Sequence, residues 1–202
     1  MHENNEEIKL HRLVDAAELV TRFCTVLMLS DLAGAGMSQR LKDTLARNLA
    51  FPSFGKWKGI LRASVADLDQ ATAGCFVPEL PQFVEQVLLR SLDASRDYIG
   101  IITTRNWLVH SAWASRSWIH DALADSEPVL SGIVNGLQFM SNYDLVGCDS
   151  DGRVYCLKGP YSDGQPRQGL STDVPRGTVA LIRHGQCLNL YPLCAFGGSV
   201  SQ

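Results

Sequence analysis

The chain lacks several features, and each absence removes a class of protein. No stretch of its 202 residues approaches the ~18 uninterrupted apolar residues of a membrane span, so nothing in it is expected to cross a bilayer. Its first residues, MHENNEEIKL, are polar and acidic and do not resemble a secretory leader, which predicts a cytoplasmic protein. It has no excess of positive charge. Eighteen Lys and Arg against 21 Asp and Glu give a formal net charge of −3, which excludes a uniformly basic nucleic-acid coat but leaves room for a local basic patch. Charged residues are scarce, at 19%, which predicts that part of the surface is covered by another subunit or domain. Missing too are a GxxxxGK[ST] phosphate loop, a GxGxxG turn after a strand, HExxH, GxSxG, and any pair of clustered carboxylates in a cleft-like context.

What is present is a globular composition, 46% hydrophobic, in a length that fits one domain or one domain with a small appendage. Six cysteines stand at 24, 75, 148, 156, 187 and 194. In a cytoplasmic chain they are expected to be free thiols acting as small apolar residues. The last four are spaced more widely than a zinc knuckle requires; a four-thiolate site would need strand pairing to bring both pairs together. No metal or cofactor is expected.

The apolar spacing is helical from about residue 6 to 142. Leu10, Leu13, Val14, Ala17, Val20, Cys24, Leu27 and Met28 form one stripe, ended by Gly34-Ala35-Gly36. Ser38 is placed to cap a helix through Leu41, Leu45 and Leu49, stopping before Pro52. Ser53 caps the next, carrying Trp57, Ile60, Leu61 and Val65. A linker from Asp69 to Pro81 follows, and Phe83, Val87, Leu88 and Leu92 restart the pattern. Further helices cover roughly 96–142, with breaks or kinks expected at Ser111–Ser117 and near Pro128. After Tyr143 the texture turns to strands. Leu145–Cys148 and Arg153–Leu157 flank an Asp-Gly turn, and Thr178–Arg183 and Gln186–Tyr191 flank His184-Gly185. Between these hairpins lies a long Gly-, Pro- and Ser-rich connection, Gly159–Gly177. The expected architecture is mainly α: an antiparallel helical bundle over 1–142, then a small antiparallel β appendage over 143–202.

Chemistry concentrates in Arg105-Asn106-Trp107-Leu108-Val109-His110. Asn106 and His110 are four apart and share a helix face, with Arg105 at its edge. Thr103 or Thr104 is expected to cap that helix, leaving Arg105 and Asn106 near its electropositive end. These side chains suit phosphodiester cleavage without metal. A histidine can take the proton of a ribose 2′-hydroxyl or give one to the leaving 5′-oxygen. An arginine can clamp the phosphate, and an asparagine can orient either partner. RNA alone carries that internal nucleophile.

Arg-Asn-x-x-x-His after a helical hairpin resembles the RX4–6H motif of HEPN domains, helical bundles that include metal-independent endoribonucleases of toxin–antitoxin and phage-defence systems. Phe51-Pro-Ser-Phe-Gly-Lys-Trp and Ile60-Leu-Arg62 are similar to a segment upstream of that motif in some bacterial HEPN-like modules. Cys187-Leu-Asn-Leu-Tyr-Pro-Leu193 is similar to a strand of the small β module that follows them. The resemblance implies a homodimer whose two motifs form one RNA-cutting cleft and leave 2′,3′-cyclic phosphate ends. Arg105 would be phosphate clamp, His110 acid and base, and Asn106 the orienting residue. Such modules often precede cyclase, kinase or ATPase domains, so the alternative is a non-catalytic dimerisation or sensor module acting on an attached effector. One departure stands out: Val109 and Ser111 flank His110 where those modules often carry Ala and Gly.

Arg40, Lys42, Arg47, Lys56, Lys58 and Arg62 face only Asp43 in their segment, a local charge of +5, with Phe51, Phe54 and Trp57 interleaved. That is the composition of an RNA-binding groove, although Trp57 suits the core better. His120 beside Asp121 reads as a surface residue, with a second catalytic histidine as the alternative, while His184 falls in a turn and His11 on an acidic N-terminal helix, neither with an evident partner. Trp107, Trp113 and Trp118 are expected to pack within the bundle or across a dimer. Asp144, Asp149, Asp151 and Asp163 lack an EF-hand's twelve-residue loop, so turn chemistry explains Asp149–Gly152. Expected partners are a second copy of the chain, RNA, and an antitoxin or attached effector domain, with no membrane. The ending at Gly197-Gly198-Ser199 fits either a complete small protein or an N-terminal piece.

Overall fold

The computed structural model describes residues 5–68, 74–93, 100–110, 115–158, 165–166 and 174–195. Trp113, Asp163 and most of the Gly159–Gly177 connection lie outside the described residues. The chain is mainly helical, with a small four-stranded antiparallel sheet at its C-terminal end. It divides into two compact units. The first comprises Met1–Met28 and Met37–Gln138, the second Leu29–Gly36 and Phe139–Gln202.

The helix α1 (Asn5–Ala35) belongs to the first unit as far as Met28, and there carries the predicted stripe, with Leu10, Ala17, Cys24, Leu27 and Met28 fully buried. Thr21 and Thr25, also buried there, donate their hydroxyls to the carbonyls of Ala17 and Thr21, whereas the buried Ser30 hydroxyl of the same helix has no partner among the described residues. Gly36 ends the helix with φ +99°, a left-handed conformation that a side chain would strain, and its N–H returns to the Leu32 carbonyl. Ser38 caps α2 (Gln39–Leu49) as its sequence position predicts. Its extended backbone lets Oγ accept the N–H of Leu41 at 3.2 Å. Asp67, at the end of α3 (Phe54–Leu68), holds that cap by accepting the Ser38 N–H at 2.8 Å and hydroxyl at 2.6 Å. Ser53 Oγ accepts the Lys56 N–H and starts α3, which buries Phe54, Ile60, Leu61 and Val65.

The next helical run begins at Leu80, with Pro81 in its first turn, where a missing N–H costs nothing. It comprises α4 (Leu80–Phe83), a π-helical segment (Val84–Leu89) and α5 (Arg90–Asp93). Then α6 (Ile101–His110) carries the Arg-Asn-His motif. Finally α7 (Arg116–Gly136), capped by Ser115, runs through Pro128 where a kink was expected. Proline removes one bond there, to the carbonyl four residues back, and the buried Ile119, Ala122, Ser126 and Ile133 hold both halves of the helix on one packed face. Leu10, Leu13 and Val14 of α1 pack with Ile119, Ala122 and Leu123 of α7, and Leu108 of α6 joins them from the edge. At about 2 kcal/mol for each buried aliphatic side chain, this cluster is what fixes the rotation of α6.

In the second unit the strands are β1 (Asp144–Cys148), β2 (Val154–Cys156), β3 (Val179–Arg183) and β4 (Gln186–Asn189), ordered β2-β1-β3-β4 and antiparallel throughout. Both expected hairpins form. His184 (φ 49°) and Gly185 (φ 76°) both take the left-handed conformation that a two-residue turn of this twist requires. Val146, Ala180 and Ile182 make one buried face, against which Val154 and Cys187 pack.

Candidate functional site

The helical wheel of α6 explains where each motif residue goes. Ile101 and Thr104 are buried and Leu108 joins the core cluster, so the inward direction runs through positions 101, 104 and 108. At about 100° per residue, position 105 flanks that direction while 106 and 110 point away from it. Arg105 is accordingly half-buried, and Asn106 and His110 are exposed. The helix starts at Ile101 and Thr104 donates its N–H to Gly100, so neither Thr103 nor Thr104 is its cap. Ile101 is itself buried on the side that carries Thr104 and Leu108, so the packed face already extends ahead of the threonines. Arg105 and Asn106 stand mid-helix and His110 ends it, which removes them from the electropositive first turn.

Arg105 is engaged within its own chain. Its Nε lies 3.5 Å from Glu18 Oε2 on α1, and Glu18 also bonds Arg22 one turn along. Glu18 is 7% exposed, so its charge needs these two partners. Arg105, Arg22, Glu18, Asp15 and Leu19 line an open groove of about 450 Å³ in which two guanidinium groups face two carboxylates. Arg22 in turn stands over the Trp57 ring, 5.8 Å from its centre. Sequence reasoning missed Glu18 and Arg22. The signal was there: a carboxylate inside the apolar stripe between Val14 and Thr21 has to find a cation.

Asn106 and His110 have no hydrogen-bond partner among the described residues, and they share their face with exposed Val109. Trp107, 41% exposed, stacks on Trp118 of α7 with ring centres 4.8 Å apart and an interplanar angle of 29°. The stack joins the end of α6 to the first turn of α7. His120 is exposed and pairs with Glu6 at 3.2 Å.

The six cations sort into two groups. Lys58 and Arg62 both hold Asp93 of α5, Lys58 at 2.9 Å. Burial alone would raise the Asp93 carboxyl, but the hydrogen bonds and charges of Lys58 and Arg62 outweigh it and hold the group below the usual carboxylate range. Arg40, Lys42 and Arg47 are exposed on α2 and have no carboxylate partner among the described residues. Lys56 donates to the Phe51 carbonyl at 2.8 Å. Phe54 is fully buried and Trp57 half-buried, whereas Phe51 is 82% exposed.

In the sheet unit, Asp149 is consumed by its turn. Its carboxylate accepts the N–H groups of Asp151 (2.9 Å) and Arg153 (2.8 Å) and the Tyr155 hydroxyl (3.1 Å). Burial pushes its pKa up, yet these donors together lower it below the usual value. The strand register places Cys148, Cys156 and Cys187 on one face. Even so, no group of three or more His, Cys, Asp or Glu able to hold a metal occurs among the described residues. The six cysteines are free; burial raises the thiols of Cys148, Cys187 and Cys194 and pushes that of Cys24 up to about 12, far from thiolate reactivity. No described helix is long and apolar enough to cross a membrane.

Comparison with protein-family models, with curated proteins and with solved structures gives no match to this chain.

Proposed function

We propose that the chain is one protomer of a homodimeric, metal-independent endoribonuclease of the HEPN type, acting as a toxin or in phage defence. One observation carries the reading: Asn106 and His110 lie side by side, exposed and without partners among the described residues, on a helix face that also presents Trp107 and Val109. Exposed apolar surface beside uncommitted polar groups is what a second copy would cover and a substrate would use. Pairing α6 with its copy brings two His110 side chains to one cleft. One imidazole takes the proton of the 2′-hydroxyl as its oxygen bonds to phosphorus. The other protonates the leaving 5′-oxygen as the P–O bond breaks, giving a 2′,3′-cyclic phosphate and a 5′-hydroxyl. Asn106 orients the phosphate, and Arg105 serves as clamp once RNA phosphate displaces Glu18 from its guanidinium. The cations of the α2–α3 segment draw the RNA backbone toward the protein.

The pair between Arg105 and Glu18 favours a second reading, in which the motif arginine is structural and the chain is a non-catalytic dimerisation or sensor module for an attached or partner effector in bacterial signalling or anti-phage defence. Incubation of the dimer with a mixed-sequence, fluorophore-labelled RNA in EDTA separates the two. The ribonuclease gives fragments with cyclic phosphate ends, abolished in His110→Ala. An intact, folded dimer that leaves the RNA whole supports the sensor module.

A further inference from the structure

We propose that the turn between α2 and α3 is a holding site for single-stranded RNA, where Phe51 stacks on one base and Arg40, Arg47 and Lys56 take the neighbouring phosphates. The inference takes its class of polyanion from the ribonuclease reading and is otherwise independent of His110. Its first support is the ring itself. Phe54, three residues on, is fully buried, so this segment already supplies its aromatic to the core, and Phe51 is left 82% exposed. Pro52 restricts the Phe51 backbone, so the ring stands on a stiff turn.

The second support is the sorting of charge. Asp93 takes Lys58 and Arg62 away from the patch, and of the cations left over Arg47 and Lys56 flank Phe51 in sequence. Lys56 is anchored at the ring's own backbone by its 2.8 Å bond to the Phe51 carbonyl, which uses one of three ammonium donors. Arg47 gives only its Nε to the Asp43 carbonyl, at 3.2 Å, leaving its terminal nitrogens to a ligand. Arg40 and Arg47, seven residues apart, lie on the same side of α2 about 10 Å from each other, a spacing that follows a strand along the helix.

One ring and three cations fit a single strand better than the other polyanions. Base stacking needs a single aromatic face, which a duplex does not offer. Attachment to an anionic membrane needs a broad apolar face to enter the bilayer, and here Leu49, 36% exposed, is the nearest exposed large hydrophobic in sequence.

Fluorescence anisotropy with labelled oligouridine, with an RNA duplex, and with vesicles of phosphatidylserine and phosphatidylcholine as competitor tests the assignment. The expected result is binding to the single strand in preference to the duplex, with no competition by vesicles. Phe51→Ala weakens that binding about tenfold and Phe51→Trp retains it. Arg40→Ala with Arg47→Ala lowers the slope of log affinity against log salt by about 1.4. No binding of the single strand, equal affinity of native protein and Phe51→Ala, equal affinity for the duplex, or Phe51-dependent binding to the vesicles would each overturn the proposal. If Phe51-dependent binding occurs without cleavage, the ribonuclease reading falls and this one stands. Cleavage without Phe51-dependent binding reverses that outcome.

Discussion

The turn at Asp149 and the outer face of α6 carry the two most chemically suggestive patterns in the sequence, Asp-x-Asp-Gly and Arg-Asn-x-x-x-His, and the fold treats them in opposite ways. At Asp149 the carboxylate receives two backbone N–H groups and a tyrosine hydroxyl, so its capacity is taken up by the turn it closes. On α6 the fold uses Ile101, Thr104 and Leu108 to seat the helix and gives Asn106 and His110 no partner among the described residues. A polar group bound on all sides supports structure; one that is exposed and unbound contributes little to stability and is available for chemistry. Arg105 belongs with Asp149 in this comparison, since Glu18 engages it.

The contrast breaks or sharpens under substitution. Asp149→Ala is expected to cost more stability than any other change named here, because it strands two turn N–H groups and the Tyr155 hydroxyl together. Thermal unfolding followed by circular dichroism reads this. Acid should reproduce it: the Asp149 pKa is lower folded than unfolded, so its contribution is complete above the ordinary carboxylate value and fades as pH falls through the folded value, below about pH 4. Glu18→Gln removes the charge shared by Arg105 and Arg22 and should cost about 1–2 kcal/mol, discounted from a fully buried pair because both arginines are partly exposed. Ser38→Ala should cost about 1 kcal/mol in chemical denaturation, from the lost cap and the Asp67 bonds behind it. His184→Asn should be slightly stabilising, by about 0.5 kcal/mol, since asparagine tolerates φ 49° better than histidine does. A loss at His184 as large as that at Ser38 would show that the imidazole has a structural role.

Local signals made much of the fold legible. The stripe of α1, the glycine stop at Gly36, the Ser38 and Ser53 caps and the two-residue His184-Gly185 turn each follow from a residue whose conformational preference acts within one turn of chain. Long-range packing hid the rest. The start of α6 at Ile101 goes with the burial of Ile101 beside Thr104, which no threonine near the motif reveals. The helix through Pro128 survives because its packed face outweighs one missing bond. In the candidate site, the shared face of Asn106 and His110 was readable from spacing. The engagement of Arg105 and the division of the basic segment by Asp93 were not, because each partner lies far away in sequence. Phe51 illustrates the same limit: interleaved aromatics do not announce which ring enters the core.

The central claim is that His110 stands apart from the fold's own needs, and one paired measurement tests it: RNA cleavage in EDTA and thermal unfolding, on native protein and His110→Ala. The account predicts that cleavage falls at least 100-fold while stability changes by less than about 0.5 kcal/mol. Unchanged cleavage, or a loss of activity that tracks a loss of folding, would contradict it.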